Sequence, residues 1–85
     1  MTVFEIGKLY RWPEKDSYWT LYDNAGKWTN RTLSHQDVFL VLYFKNDIDF
    51  LTIKVLISNG IIGYININKS YESYESSVRK FVKLQ

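Results

Sequence analysis

The chain has 85 residues, a formal net charge of +2 and no cysteine. This length supports one hydrophobic core, and folding buries only about 60% of the surface that the extended chain exposes. An apolar fraction of 46% excludes a disordered segment, and the small net charge excludes a strongly basic nucleic-acid-binding arm. The lack of cysteine excludes disulfides, thiolate zinc sites and cysteine nucleophiles, so packing and backbone hydrogen bonds must stabilise the fold.

The first third of the chain predicts short β-strands separated by polar turns. Apolar residues between Val3 and Trp12 predict a first strand, which Pro13 ends because proline has no amide donor. Residues 18–22 are rich in aromatic side chains and predict a second strand. Residues 23–26 form a turn sequence with Asn and Gly, and residues 27–33 favour an extended segment with weaker alternation.

The second half predicts a meander of three antiparallel strands. Residues 37–44 form an apolar, β-branched and aromatic run, which predicts a central strand buried on much of both faces. Residues 50–57 and 61–67 predict the next two strands. Between them, Ser58, Asn59 and Gly60 give the strongest hairpin signal in the chain.

The last segment carries a helical period, although a second interpretation stays open. Five apolar residues fall within about 100° of one helical face: Tyr71, Tyr74, Val78, Phe81 and Val82. Ser70 is a suitable N-cap, and Glu75 and Arg79 have the favourable i to i+4 orientation. These features favour a short C-terminal helix. The alternative is one helical turn at residues 70–77 followed by a final strand at residues 78–84.

A recognisable pattern runs from residue 37 to residue 65. It consists of an Asp-led apolar strand, a turn, a strand with Lys54-Val55, a tight Asn59-Gly60 turn and the triplet Gly63-Tyr64-Ile65. This pattern resembles the later strands of SH3-like small β-barrels of bacterial or bacteriophage type. The resemblance implies a mainly β fold, an SH3-like small barrel of about five antiparallel strands with a short C-terminal helix, as a single domain over residues 1–85. In it, residues 6–10 would form the first strand and close the barrel against the end of the chain.

The chain departs from the peptide-binding members of that family. Those domains use a tryptophan that opens the third strand and a proline after the Gly-aromatic-aliphatic triplet to bind proline-rich segments. This sequence has Phe50 and Leu51 at the first place and Asn66 at the second. A standard groove for proline-rich peptides is therefore not expected.

The sequence offers no arrangement that predicts catalysis. His35 is the only histidine, and in Ser34-His35-Gln36-Asp37 the three triad residue types are too close in sequence to point at one another. Asp47 and Asp49 are too sparse for a calcium loop, and the glycines do not form a phosphate-binding loop. We therefore expect a non-enzyme without metal or cofactor.

Binding to a partner is the remaining class of function. The chain has 3 Trp, 7 Tyr and 5 Phe, more rings than a small barrel can hold inside, so some should be exposed where they supply contact area. The predicted partner-binding residues lie in the first half: Tyr10, Trp12, Tyr18, Trp19 and Trp28. The alternative interpretation is that these rings only cap the ends of the barrel.

Two further kinds of partner stay open. A single-stranded nucleic acid is one, since several cations flank the aromatic residues of the first half, although the weak net charge argues against it: Lys8, Arg11, Lys27 and Arg31. Self-association through an uncovered edge strand is the other.

The sequence also suggests a compartment. The first residues show no basic leader or long apolar run, and the longest apolar run, residues 38–44, is too short to span a bilayer. We expect a cytoplasmic protein without a membrane segment. Abundant Ile, Asn, Lys, Tyr and Phe fit an A/T-rich genome, so a bacterial or phage source is expected, with the host cytoplasm as the location if a phage encodes it.

Overall fold

The computed structural model describes residues 4–84, and in that range the chain forms seven β-strands and one short helix. Val3, at the start of the predicted first strand, lies outside the described residues. The elements in chain order are β1 (Leu9–Arg11), β2 (Trp19–Tyr22), β3 (Trp28–Leu33), β4 (Val38–Asn46), β5 (Phe50–Ile57), β6 (Ile62–Asn68), α1 (Tyr74–Lys80) and β7 (Val82–Lys83).

All seven strands belong to one antiparallel sheet with the order β3-β2-β6-β5-β4-β1-β7. The predicted meander of the second half is confirmed as β4, β5 and β6, and Gly60 has the positive φ of 89° that its turn requires. The mainly β fold is therefore confirmed. The sheet is open, with β3 and β7 at its edges, and it has more strands than the expected five because residues 19–33 form a hairpin and a short strand follows the helix.

The first strand pairs with the end of the described chain. Tyr10 lies opposite Lys83, and the amide of Leu84 donates to the carbonyl of Leu9 over 2.8 Å. A second link joins the side chains, since Lys83 Nζ donates to Glu5 Oε2 over 2.8 Å. This hydrogen bond lowers the pKa of Glu5 and raises the pKa of Lys83.

The C-terminal segment combines the two interpretations left open by its sequence. A short helix is present, but it begins at Tyr74, whereas Ser70 is held in a turn by two hydrogen bonds to Asn68 Oδ1. The helix ends at Lys80, and Phe81 is extended with φ −61° and ψ 132°. The change to extended backbone allows Phe81 to pack inward while the next two residues form β7 against β1.

The core lies on one face of the sheet, which we call the inner face; the opposite face is the outer face. Alternate residues of β4, β5 and β6 are buried on the inner face. The prediction that residues 37–44 are buried on much of both faces is confirmed for the inner face, whereas on the outer face Val38 and Leu40 are half-buried and Tyr43 is 52% exposed. No charged side chain is buried in the part of the chain that the structure describes.

Phe81 is the centre of the aromatic part of the core. Its ring centroid lies 5.1 Å from that of Phe4, 4.8 Å from Trp12, 5.6 Å from Trp19 and 5.8 Å from Phe39. These four rings come from the segment before β1, the segment after it, β2 and β4. One side chain therefore joins the chain end to both halves of the sheet.

Gly63 allows the β2–β3 hairpin to approach β6 closely. A Cβ atom at Gly63 would lie 3.2 Å from Leu21 Cβ, nearer than side chains ordinarily approach. Leu21 is completely buried, and the next residue, Tyr22, pairs with Tyr64 on β6. The glycine of the Gly63-Tyr64-Ile65 triplet thus provides the space in which β2 joins the sheet.

Replacing Phe81 with alanine should cost about 3–5 kcal/mol of the free energy of unfolding, because a buried ring with four aromatic neighbours is lost. Urea denaturation measures the change. Phe50→Ala is the matched control, since that ring is 43% exposed and should cost only about 1 kcal/mol. A loss below about 0.5 kcal/mol for Phe81→Ala would show that the terminal segment lies outside the core.

Gly63→Ala should destabilise the protein by about 1–3 kcal/mol, because the new methyl group overpacks against Leu21. Thermal and urea unfolding measure the loss, and Asn66→Ala on the outer face of the same strand is the control. An unchanged or increased stability would contradict the proposed close approach, since alanine otherwise suits a strand better than glycine.

Candidate interaction surface

Two of the predicted partner-binding residues are part of the core. Tyr10 is 1% exposed and Trp12 is 4% exposed. The phenol oxygen of Tyr10 accepts a hydrogen bond from the Glu5 amide over 2.8 Å, and Trp12 Nε1 donates to Ser17 Oγ over 3.0 Å. Because their polar atoms are bonded inside the fold, these two rings have no surface to offer a partner.

The three tryptophans do not form one exposed patch. Trp19 is half-buried, stacked on Phe81 and at an edge-to-face angle to Trp12, with ring centroids 5.3 Å apart for the latter pair. Trp28 and Tyr18 are 61% and 65% exposed, and only these two of the five predicted residues present most of their surface to solvent. A role for either in binding stays a prediction.

The outer face carries a line of five residues, four aromatic and one lysine, that crosses five strands. Register pairs place Tyr43 opposite Lys54, Lys54 opposite Tyr64, Tyr64 opposite Tyr22, and Tyr22 opposite Trp28. We call these five residues the aromatic row. Tyr43 at one end is 52% exposed, Trp28 at the other is 61% exposed, and the three residues between them are half-buried.

Irregularities in the strands put the two ends of the aromatic row on the outer face. In β4 the register shifts between Val41 and Tyr43, so that Tyr43 turns outward and Phe44 packs against the core. In β3 the register shifts so that Trp28 lies opposite Tyr22. Asn30 at that shift has φ 63°, a left-handed conformation that asparagine tolerates. Regular alternation in β4 would have directed Tyr43 to the inner face.

The middle of the aromatic row is held by polar contacts. Lys54 Nζ lies 5.9 Å from the centroid of the Tyr64 ring, within the range of a cation–π interaction. The Tyr64 hydroxyl donates to Asn24 Oδ1 over 3.0 Å, which ties β6 to the turn of the β2–β3 hairpin. These two contacts fix the orientation of the Tyr64 ring.

An apolar strip lies beside the aromatic row. Register pairs place four aliphatic residues of β1, β4, β5 and β6 side by side on the outer face, which we call the aliphatic row: Leu9, Leu40, Leu56 and Ile62. Ile62 is 56% exposed, and a shallow depression of about 270 Å³ is lined by the other three with Val38, Ile57, Ser58 and Gly60. Together the two rows make an extensive apolar area on a small protein.

Charge is unevenly distributed between the strands and the connections. The seven strands contain Arg11, Arg31, Lys45, Lys54 and Lys83 but no aspartate or glutamate. All nine carboxylate side chains lie in turns, loops or the helix. Although the net charge is small, the charged side chains of the strands are all positive, and all the carboxylates lie in the connections and the helix.

The other features considered in the sequence are not brought together as a catalytic or metal site. Ser34 donates from its amide and its hydroxyl directly to Asp37 Oδ2, at 2.8 and 3.3 Å, while His35 Nδ1 is buried without a hydrogen-bond partner. Residues 4–84 contain no group of three or more His, Asp or Glu side chains able to hold a metal ion. Nor does that range contain a helix long and apolar enough to cross a membrane.

Sequence reasoning missed most of the outer surface. Tyr22, Tyr43 and Tyr64 were only counted among the aromatic residues, and Lys54 was interpreted as part of the strand pattern. The alternation of β6 does predict that Tyr64 lies on the face away from the buried Gly63 and Ile65. The register shifts in β3 and β4, by contrast, leave no signal in the sequence. In the comparisons with known proteins, no family model, curated protein or solved structure matches this chain.

Proposed function

We propose that this protein is a non-enzymatic protein-interaction or assembly module on an SH3-like framework, and that it binds through the outer face of its sheet. The observation that carries the proposal is the aromatic row, which spans β3, β2, β6, β5 and β4 and ends in two exposed rings. Tyrosine and tryptophan are the residues that most often dominate the binding energy of protein interfaces.

The strand arrangement supports the SH3-like part of the proposal. Strands β1, β4, β5 and β6 are neighbours, and the chain end returns to β1 after the helix. The expected pairing of the first strand with the later segment is present, although the strand is Leu9–Arg11 and the pairing does not close a barrel. The sheet stays open at β3 and β7, so the framework is an open relative of such a barrel. A bacterial or phage origin and a cytoplasmic location stay predictions.

The composition of the outer face favours a protein partner with acidic groups around an apolar centre. The aliphatic row supplies contact area that stacked nucleobases would not use, whereas a protein partner would bury it. Lys54 lies in the aromatic row and the strands hold no carboxylate, so acidic side chains would complement this face.

Replacing Trp28 and Tyr43 together with alanine should abolish capture of the partner from a lysate of the source cells, measured by quantitative mass spectrometry. Both side chains are exposed, so the double variant should keep its fold, which a thermal melt checks. Ile48→Ala is the control, because Ile48 is 92% exposed in the turn between β4 and β5 and lies off the aromatic row. Identical sets of captured proteins for all three forms would contradict the proposal.

A second candidate, binding of single-stranded nucleic acid, is favoured by the charge distribution of the strands. Exposed rings on a sheet with neighbouring cations are used for base stacking and phosphate contact. Against it, Lys45 pairs with Asp47 at 3.5 Å, which leaves few free cations on the outer face.

For this candidate, a fluorescently labelled oligothymidine should bind with an affinity that falls steeply between about 50 and 200 mM salt. Fluorescence anisotropy measures it, and Lys54→Gln should reduce the salt dependence. Absence of salt-sensitive binding eliminates the second candidate and leaves the protein-interaction proposal in place.

A further inference from the structure

A cleft of about 370 Å³ lies where β2 and β6 separate. The two strands pair at a single position, Tyr22 opposite Tyr64. Beyond that pair, Trp19 on β2 and residues 66–68 on β6 line the cleft, and the segment from Tyr71 to Ser77 forms the rest of its wall. Its volume is within the range of sites for small ligands, about 300–1,000 Å³.

The lining of the cleft has a distinctive chemistry. It consists of five aromatic residues, two asparagines, two serines and Ile67, with no acidic or basic side chain among them. Aromatic faces attract apolar C–H surfaces, while amide and hydroxyl groups both donate and accept hydrogen bonds. Such a lining suits a neutral ligand that combines a C–H face with many hydroxyl groups.

Several polar groups of the cleft have no partner within the protein. In the described range, the side chains of Asn66, Ser73 and Ser77 make no hydrogen bond, and Ser73 does not use its hydroxyl to cap the helix. Trp19 Nε1 is buried and also lacks a hydrogen-bond partner. The asparagine and the two serines are therefore the groups of the cleft to which a ligand can bond.

We propose that this cleft is a carbohydrate-binding site. The saccharide ring stacks on the aromatic wall that includes Tyr71, and its hydroxyl groups bond to Asn66, Ser73 and Ser77. A nucleotide would suit the site less well, because the cation beside the cleft, Lys69, lies over the Tyr74 ring at 6.0 Å and already donates to Asn46 and to the Asp47 carbonyl. The site is independent of the aromatic row except for Tyr22, which borders both.

Titration of the ¹⁵N-labelled protein with neutral trisaccharides, maltotriose and cellotriose, tests the proposal by NMR. The three tryptophans give three indole N–H signals, and that of Trp19 should shift and saturate by about 20 mM, a concentration well above a Kd of 1 mM. The signal of Trp12, whose N–H is bonded to Ser17, and that of the exposed Trp28 should stay in place. A Trp28→Phe variant assigns the last signal.

Tyr71→Ala should weaken saccharide binding by at least about fivefold, because it removes one aromatic face of the cleft. Tyr71 is 67% exposed, so the fold should persist, and Tyr18→Ala at 65% exposure is the matched control. The Trp28→Ala and Tyr43→Ala double variant should leave the titration unchanged, which separates this site from the proposed protein interface. Asn66→Asp, which places a charge in the cleft, should also weaken binding.

Three outcomes would overturn the proposal. The first is the absence of any Trp19 shift with either trisaccharide. The second is saturation by adenosine or uridine without saccharide binding, which would assign a nucleoside site. The third is an equal effect of Tyr71→Ala and Tyr18→Ala, which would place the binding outside the cleft.

Discussion

The packing of the Phe81 ring is the interaction on which the rest of the structure depends. A chain of 85 residues without cysteine has only packing and backbone hydrogen bonds to hold it, and here one ring contacts four others from separate segments. Phe81 can reach them because the helix ends at Lys80 and the backbone becomes extended. The short helix is thus chiefly a connection that delivers this side chain to the core and then returns the chain to β1.

The aromatic rings that pack on Phe81 and those on the outer face both depend on the position of β2 in the sheet. Trp12 is buried in the core and Trp19 packs on Phe81, so neither ring belongs to the aromatic row. Gly63 contributes to the geometry of that row, because a Cβ atom there would lie 3.2 Å from Leu21 Cβ and would press against β2 beside the Tyr22–Tyr64 pair. The same β2–β6 pairing ends after one position, which leaves the cleft beside Trp19. Both candidate binding surfaces therefore arise from the way in which one hairpin joins the sheet.

The sequence was sufficient for the parts of the fold that depend on local signals. Alternation and the Asn59-Gly60 turn predicted the β4–β6 meander, since both act between neighbours in the chain. The sequence was insufficient where contacts between residues far apart in the chain determine the structure. Trp12 was predicted to bind a partner because its contact Phe81 belongs to a distant element, and the outward orientation of Tyr43 was missed because one extra residue in β4 reverses which side chains face inward. The helix start was misplaced because Ser70 bonds to Asn68 and does not cap.

The pairing of β1 with β7 has a consequence for how the chain folds during synthesis. The β4–β6 meander can form as soon as it leaves the ribosome, since its contacts are local, whereas β1 gains its second neighbour only after Lys83 has been made. Until then Phe4 and Trp12 lack the ring of Phe81 against which they pack. Phe4 and Trp12 therefore stay exposed to water until the segment that contains Phe81 has been synthesised and has folded back onto β1.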